Sequence, residues 1–327
     1  MIKAYPFVAV LLLAGVCHAQ LNFLVMGDWG GLVDPPYTTG AEVAVAKAMD
    51  VAAKDSGALF SLGLGDNFYN EGVTSINDPR FLNTFENVFT GGHLKAPFQF
   101  HFIAGNHDHN GNVTAEIDYS NVDSRWSFPS EYYTFTKTAP DGATVQFVMI
   151  DTVILAGNSD VGDVTLDGDA LPGPADQAVA DSQLQWIEET LAASTADYLI
   201  VAGHYPVYSI CEHGPTALLE LSVKPLLEKY NVNAYFNGHD HCAELIEVDG
   251  VQYHTIGAAH GVDSSTEHKD DIPSGSLKFH WAGSSDSSSS DVGAFASVSV
   301  TKANTTITRI SGTGEVLFVN SMKPRSS

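Results

Sequence analysis

Along this chain, apolar runs of strand length alternate with stretches in which apolar residues return every three or four positions. The runs LNFLVMGDWG, GALFSLGLGDNFY, FQFHFIAGNHDH, VQFVMIDT, DYLIVAGHYP and NAYFNGHDH all break off in polar or glycine-rich turns. Between several of them the helical spacing is clear, over 41–54, 181–193 and 215–230. Strands alternating with helices predict an α/β fold. From position 243 onward, AELIEVDGVQYHTIG, AFASVSVTKANTTITRIS and GEVLFVNS predict antiparallel sheet within the same domain. Two polar stretches, 156–177 and 283–293, read as solvated connections; the first follows a motif strand and is placed to border a site. No internal repeat is present.

The first residues change the picture of the whole. MIKAYPFVAVLLLAGVCHAQ carries Lys3, an apolar stretch and small residues before Ala19, the pattern of a secretory signal over 1–19. Its apolar run is shorter than the roughly 20 residues a spanning helix needs, so stable membrane insertion is not expected. The remainder, 20–327, is expected to form one domain with a substantial core. Removal of the signal takes Cys17 and leaves Cys211 and Cys242, enough for one disulfide in an oxidising compartment, although spacing does not say whether they meet. Asn112 and Asn304 begin glycosylation triplets. A formal net charge of -24 argues against nucleic acid and anionic membranes as partners.

The strand ends gather the chemistry. In open α/β sheets, functional groups collect beyond the carboxyl ends of the strands, and there this chain places Asp28, Asp66, Tyr69, Asn106, His107, His204, His239 and His241. These are hard oxygen and borderline nitrogen donors with no thiolate among them, a set suited to iron, zinc or manganese. Strand alternation would send His239 and His241 to one side and Asp240 to the other, and would split Asn106 from His107. Glycines at 27, 65, 105, 203 and 238 precede these groups and permit close backbone approach. His101 and His254 fall inside strand-like runs and are expected to be packed or exposed without chemical duty.

The ordered set GDWG, GDNFY, GNHD, GHYP and GHDH, with HDHNGNVTAEIDYS, FVMIDTV and SICEHGPT, resembles the small, mammalian-type purple acid phosphatases of the metallophosphoesterase superfamily. Tyr69, three residues after Asp66, separates that family from other metallophosphoesterases. The resemblance implies a four-layer fold of two mixed β-sheets flanked by α-helices. It implies Asp28, Tyr69 and His241 on a ferric ion, Asn106, His204 and His239 on a divalent ion (Fe(II), Zn or Mn), and Asp66 bridging the two. His107 and His213 resemble the outer histidines that orient phosphate and assist proton transfer. Asn112 matches a glycosylated position of related chains. The stretch 156–177 corresponds to a lid that relatives have cut by proteases, and the acidity sets this chain apart from basic animal relatives.

The function so implied is hydrolysis of phosphate monoesters, small or on phosphoproteins, by metal-bound hydroxide, in an extracellular or acidic-organelle setting. A ferric and a divalent cation outweigh two carboxylates and a phenolate, so the centre stays attractive to anions while salt screens the acidic surface over about 8 to 10 Å. Two rival readings share the ligands: a phosphodiesterase or nucleotidase, and a secreted iron-binding or redox protein without hydrolytic work. The latter has no need of His107 and His213.

Overall fold

The computed structural model describes residues 20–161, 164–165, 171–283 and 292–325. The expected signal, most of the second polar connection and part of the first therefore lie outside the described residues. From the N-terminus, β1 (Leu21–Met26), α1 (Gly40–Ser56), β2 (Phe60–Gly63), β3 (Gln99–Phe102), α2 (Asn106–Asn110), α3 (Val113–Tyr119) and β4 (Trp126–Ser127) come first. A central set follows: β5 (Tyr133–Thr138), β6 (Thr144–Met149), α4 (Thr152–Ala156), a small hairpin of β7 (Asp160–Val161) and β8 (Val164–Thr165), then α5 (Gln177–Ala193) and β9 (Tyr198–Ala202). The last set is α6 (Ala217–Ser222), α7 (Lys224–Lys229), β10 (Ala234–Asn237), β11 (Ala243–Val248), β12 (Val251–Ile256), β13 (Leu277–Trp281), β14 (Ala294–Val300), β15 (Thr305–Ser311) and β16 (Val316–Met322).

These strands build two seven-stranded sheets, ordered β16-β15-β14-β1-β2-β3-β4 and β13-β11-β12-β10-β9-β6-β5. Each is mixed. Parallel neighbours β1 to β4 adjoin the antiparallel trio β14 to β16; parallel β6, β9, β10 and β12 are flanked by antiparallel β5 on one side and β11 with β13 on the other. The C-terminal strands are antiparallel as expected, but β12 also pairs parallel to β10, so the tail completes both sheets.

Alternation along one strand shows the layering. Tyr198, Ile200 and Ala202 of β9 join the core between the sheets with Phe23, Phe60 and Phe147, whereas Leu199 and Val201 meet Ile187 and Leu191 of α5. A strand covered on both faces has no use for polar residues, which explains its continuous apolar run. Val45 and Met49 of α1 cover the other sheet, giving helix, sheet, sheet and helix in four layers. The helix starts with a capping box between Thr39 and Glu42 and stops at Gly57 in the left-handed region (φ 69°). The single helix expected over 215–230 is two helices, because Pro225 has no N–H to donate and its ring collides with the preceding turn.

One polar cluster lies buried between the sheets. Alternation places Arg309 on the same buried face of β15 as Ile307. Its guanidinium donates to the Glu244 carbonyl (2.6 Å), to His254 Nδ1 (2.8 Å) and to Asn320 Oδ1 (3.0 Å), and it lies over Phe279 and Phe318. His254 is thus an internal acceptor with its Nε2–H turned to Gln252. His101 stacks on Phe135 at 4.1 Å. Both histidines expected to be structural are packed in this way.

Candidate metal centre

The strand-end residues meet at one edge of the two sheets. Asp28 follows β1, Asp66 follows β2, Asn106 and His107 open α2 after β3, His204 follows β9, and His239 and His241 follow β10. Backbone bonds knit these turns together: Asp28 N–H donates to Gly65 O (3.1 Å), and Gly238 N–H to His204 O (3.1 Å). Strand alternation, expected to send His239 and His241 to one side, does not govern them: His239 faces Asn106 and His241 faces Tyr69. Both lie beyond β10, with His239 at φ 69°. Asp28 (φ 55°) and Asp66 (φ 50°) are also left-handed, a conformation that costs a side-chain-bearing residue energy and that the surrounding packing enforces here. A Cβ on Gly105 would collide with the Asp66 carboxylate, and one on Gly238 with that of Asp28.

Two groups of donors result. In the first, Tyr69 Oη stands 3.2 Å from Asp28 Oδ1 and 2.9 Å from His241 Nε2, and His241 Nε2 lies 3.8 Å from Asp28 Oδ1. In the second, Asn106 Oδ1 lies 2.8 Å from His204 Nε2 and 3.1 Å from His239 Nδ1. Asp66 stands between them, with Oδ1 3.4 Å from His204 Nε2. Ligand atoms of Asp28, Asp66 and His204 all fall within 4.8 Å of one another.

Buried aromatic packing fixes the turns. Trp29, next to Asp28, packs against Phe89, Phe102 and Trp126, and its indole N–H donates to Asn67 Oδ1 (3.1 Å). The Asn67 amide donates to Ile103 O and Glu116, both at 2.9 Å. Asp108 then accepts from the N–H groups of Asn67, Phe68 and Gly105. One carboxylate thereby locks the Asp66–Tyr69 turn to the Asn106 turn. Its own pKa is pushed up to about 7 by burial and by Asp66.

The electrostatics fit cations. Burial and then Asp66 raise Asp28 well above the carboxylate range. Burial, followed by Asp28 and Asp66, holds the Tyr69 phenol neutral. Asp66 is lowered overall, burial being outweighed by His204 and His107. Burial, ahead of neighbouring histidines, takes His241 down to about 3 and His239 well below the usual imidazole range. Neutral imidazoles present lone pairs, and carboxylates crowded against each other call for positive charge. His204 Nδ1–H donates to Leu64 O (2.8 Å), which leaves Nε2 as the free donor atom facing Asn106. His239 Nε2 is buried without a hydrogen-bond partner.

Comparison with known proteins agrees with this geometry. The family described as calcineurin-like phosphoesterase matches residues 21–243. Tartrate-resistant acid phosphatase type 5 of Rattus norvegicus is 42% identical over 323 residues, covering 97% of this chain and 96% of the relative. Purple acid phosphatase 4 of Arabidopsis thaliana is 31% identical over 256 residues, covering 75% and 71%. The chain belongs to the purple acid phosphatases. Its fold also resembles a solved structure titled "GAP50 the anchor in the inner membrane complex of Plasmodium", with a TM-score of 0.77, 21% identity and coverage of 94% and 90%.

Purple acid phosphatases use a dinuclear metal centre, and the donor set fits one: two groups of oxygen and nitrogen donors share Asp66, and crowded buried carboxylates face neutral imidazoles there. The other cluster of potential ligands, Cys211, Cys242 and His280, offers only an imidazole, because the two sulfurs are bonded to each other. His107 sits at the rim of the phosphatase site, its Nδ1–H donating to Asn70 O (2.8 Å) and its Nε2 3.9 Å from Asp66 Oδ2. His213 stacks on His239 with ring centroids 4.3 Å apart. The polar stretch after α4 does border the site, since the Asn158 amide donates to Asn106 O (3.1 Å).

Sequence reasoning missed several contributors. Asn67 and Asp108 are letters of the motifs themselves and were passed over for their neighbours. Asp240 accepts from the His213 N–H (2.8 Å). His260, 4.5 Å from the Tyr69 ring, carries no motif signal at all. Among the described residues no helix is long and apolar enough to cross a membrane.

Proposed function

We propose that this chain is an acid phosphatase that hydrolyses phosphate monoesters, with Asp28, Tyr69 and His241 holding Fe(III), Asn106, His204 and His239 holding Fe(II), Zn or Mn, and Asp66 shared. The observation that carries the reading is the convergence of Asp28, Asp66 and His204 ligand atoms within 4.8 Å, flanked by Tyr69 and Asn106. When bound, such a cation pair makes water acidic enough to act as a nucleophile and neutralises phosphoryl oxygens. The chain's own groups do the rest. Asp108 holds the two turns in register, Leu64 O fixes the tautomer of His204, and Asn70 O fixes that of His107. His107 and His213 lie at the rim, partly exposed, where they bind phosphoryl oxygens and deliver a proton to the departing alcohol or phenol. The leader-like N-terminus supports secretion or delivery to an acidic organelle.

The test is metal analysis and a visible spectrum of the purified protein, with rates on a matched phosphate monoester and diester. Iron with a second metal, a visible band lost in Tyr69→Phe, and faster monoester cleavage are expected. A faster diester rate would replace the substrate class, and a spectrum indifferent to Tyr69→Phe would remove Tyr69 from the iron.

A further inference from the structure

Residues 209–214, which carry His213, belong to no helix or strand. No ladder of hydrogen bonds holds them, yet His213 lies flat against His239. Besides the Ile210 N–H, which donates to Glu244 Oε2 (3.4 Å) at the start of the loop, two ties lie closest to His213. Its N–H donates to Asp240 Oδ1 (2.8 Å), and Cys211, two residues earlier, is disulfide-bonded to Cys242, across a sequence separation of 31. Cys242 directly follows His241. The turn 238–242 therefore presents His239 to Asn106, Asp240 to the His213 backbone, His241 to Tyr69 and Cys242 to the sulfur of the neighbouring loop. Both half-cystines are fully buried, out of reach of small thiols, so the bond is a permanent staple rather than a switch.

We propose that the Cys211–Cys242 disulfide is a positioning element for catalysis: it holds His213 over the cation-binding turn so that its imidazole can protonate the leaving group. This rests on His213 as the proton donor. A displacement of about 1 Å at a catalytic group can cost roughly 100-fold in rate, and an irregular loop released from its covalent tie has that freedom. A bond that merely stabilised the fold would leave turnover unchanged below the unfolding temperature.

The experiment compares the full-length enzyme with Cys211→Ala/Cys242→Ala, each with and without His213→Ala, on an alkyl phosphate and on p-nitrophenyl phosphate. Protonation matters more for the poorer leaving group. Expected for the cysteine pair variant is a fall in kcat of about 10- to 100-fold on the alkyl ester, a smaller fall on the nitrophenyl ester, unchanged metal content, and no additional fall in the His213→Ala background. Wild-type kcat on both esters at a temperature where the variant is folded would overturn the proposal. So would loss of metal, which would place the effect on His241, or an equal fall without His213. If His213→Ala alone turns over like wild type, the proton-donor reading fails, and that result is read in a separate variant. Should the alanine pair fail to fold, Cys211→Val/Cys242→Ala refills the volume and yields the same readouts.

Discussion

Among the described residues, the Arg309 cluster and the strand-end cluster are both buried and both ionisable, and they are built on opposite principles. At the Arg309 cluster the chain brings its own cation and surrounds it with neutral acceptors: a carbonyl, an amide oxygen and the Nδ1 of His254. At the sheet edge the chain brings Asp28, Asp66, Tyr69 and a group of neutral imidazoles, and the charges acting on Asp28 include those of Asp66 and Asp240, both of its own sign. In the first cluster the terminal guanidinium nitrogens find their acceptors within the chain, and Nε alone is left without one. The second is matched only by ions from outside. Backbone conformation follows the same division, since Arg309 lies within β15 whereas Asp28, Asp66 and His239 are held in the left-handed region. A buried histidine is thus no signal by itself; His254 and His204 differ in what their neighbours lack.

The comparison can be broken at its strongest point first. Asp66→Asn should remove the shared carboxylate, empty both cation positions by elemental analysis, and lower turnover by roughly 1,000-fold or more, the several kcal/mol that metal ions supply in the transition state. Retention of both metals would deny Asp66 its shared role. Arg309→Ala should do the reverse: a loss of about 3 kcal/mol in denaturant unfolding, from hydrogen bonds to a buried charge, with metal content intact. If that variant instead loses metal, the two clusters are not independent. His213→Ala should keep colour and metal while turnover falls about 100-fold, the low end for a positioned proton donor; a colourless variant would refute the assignment.

The smallest effect concerns acid. Glu42 is buried at the start of α1, and burial raises it to about 9, opposed by the Thr39 N–H. Its folded value exceeds its unfolded value, so between the ordinary carboxylate range and about 9 the native state holds a proton that the unfolded chain has lost. Stability therefore falls as pH rises through that window. Glu42→Gln should flatten this dependence, gaining roughly 2 kcal/mol at pH 8 relative to pH 5 in paired unfolding curves. Parallel curves for wild type and variant would assign the acid preference to other carboxyls, such as Glu244, which burial and then Asp240 raise to about 8.

Much of the site was legible because its donors are local to strand ends, where apolar runs stop abruptly at glycine. GDWG, GDNFY, GNHD, GHYP and GHDH each announced a turn with a donor in it. Less legible was how the donors are held there. His239 and His241 diverge through a left-handed turn, where the alternation of a strand would have kept them on one side, and Asn106 with His107 belongs to a short helix that no periodicity of so few residues could reveal. Arg309 was written into its strand in register with Ile307, but a lone arginine in ITRIS reads as solvent-facing until the opposing sheet is known.

By itself the sequence determined the layers and the chemistry on offer, because burial pattern and donor type are properties of each segment alone. The tertiary structure decided who meets whom: that Tyr69 lies against His241, 172 positions away, that Cys211 bonds Cys242, and that Arg309 finds His254 rather than water. Such pairings depend on how two twisted sheets stack and where their edges coincide, a relation between distant segments that no one of them encodes.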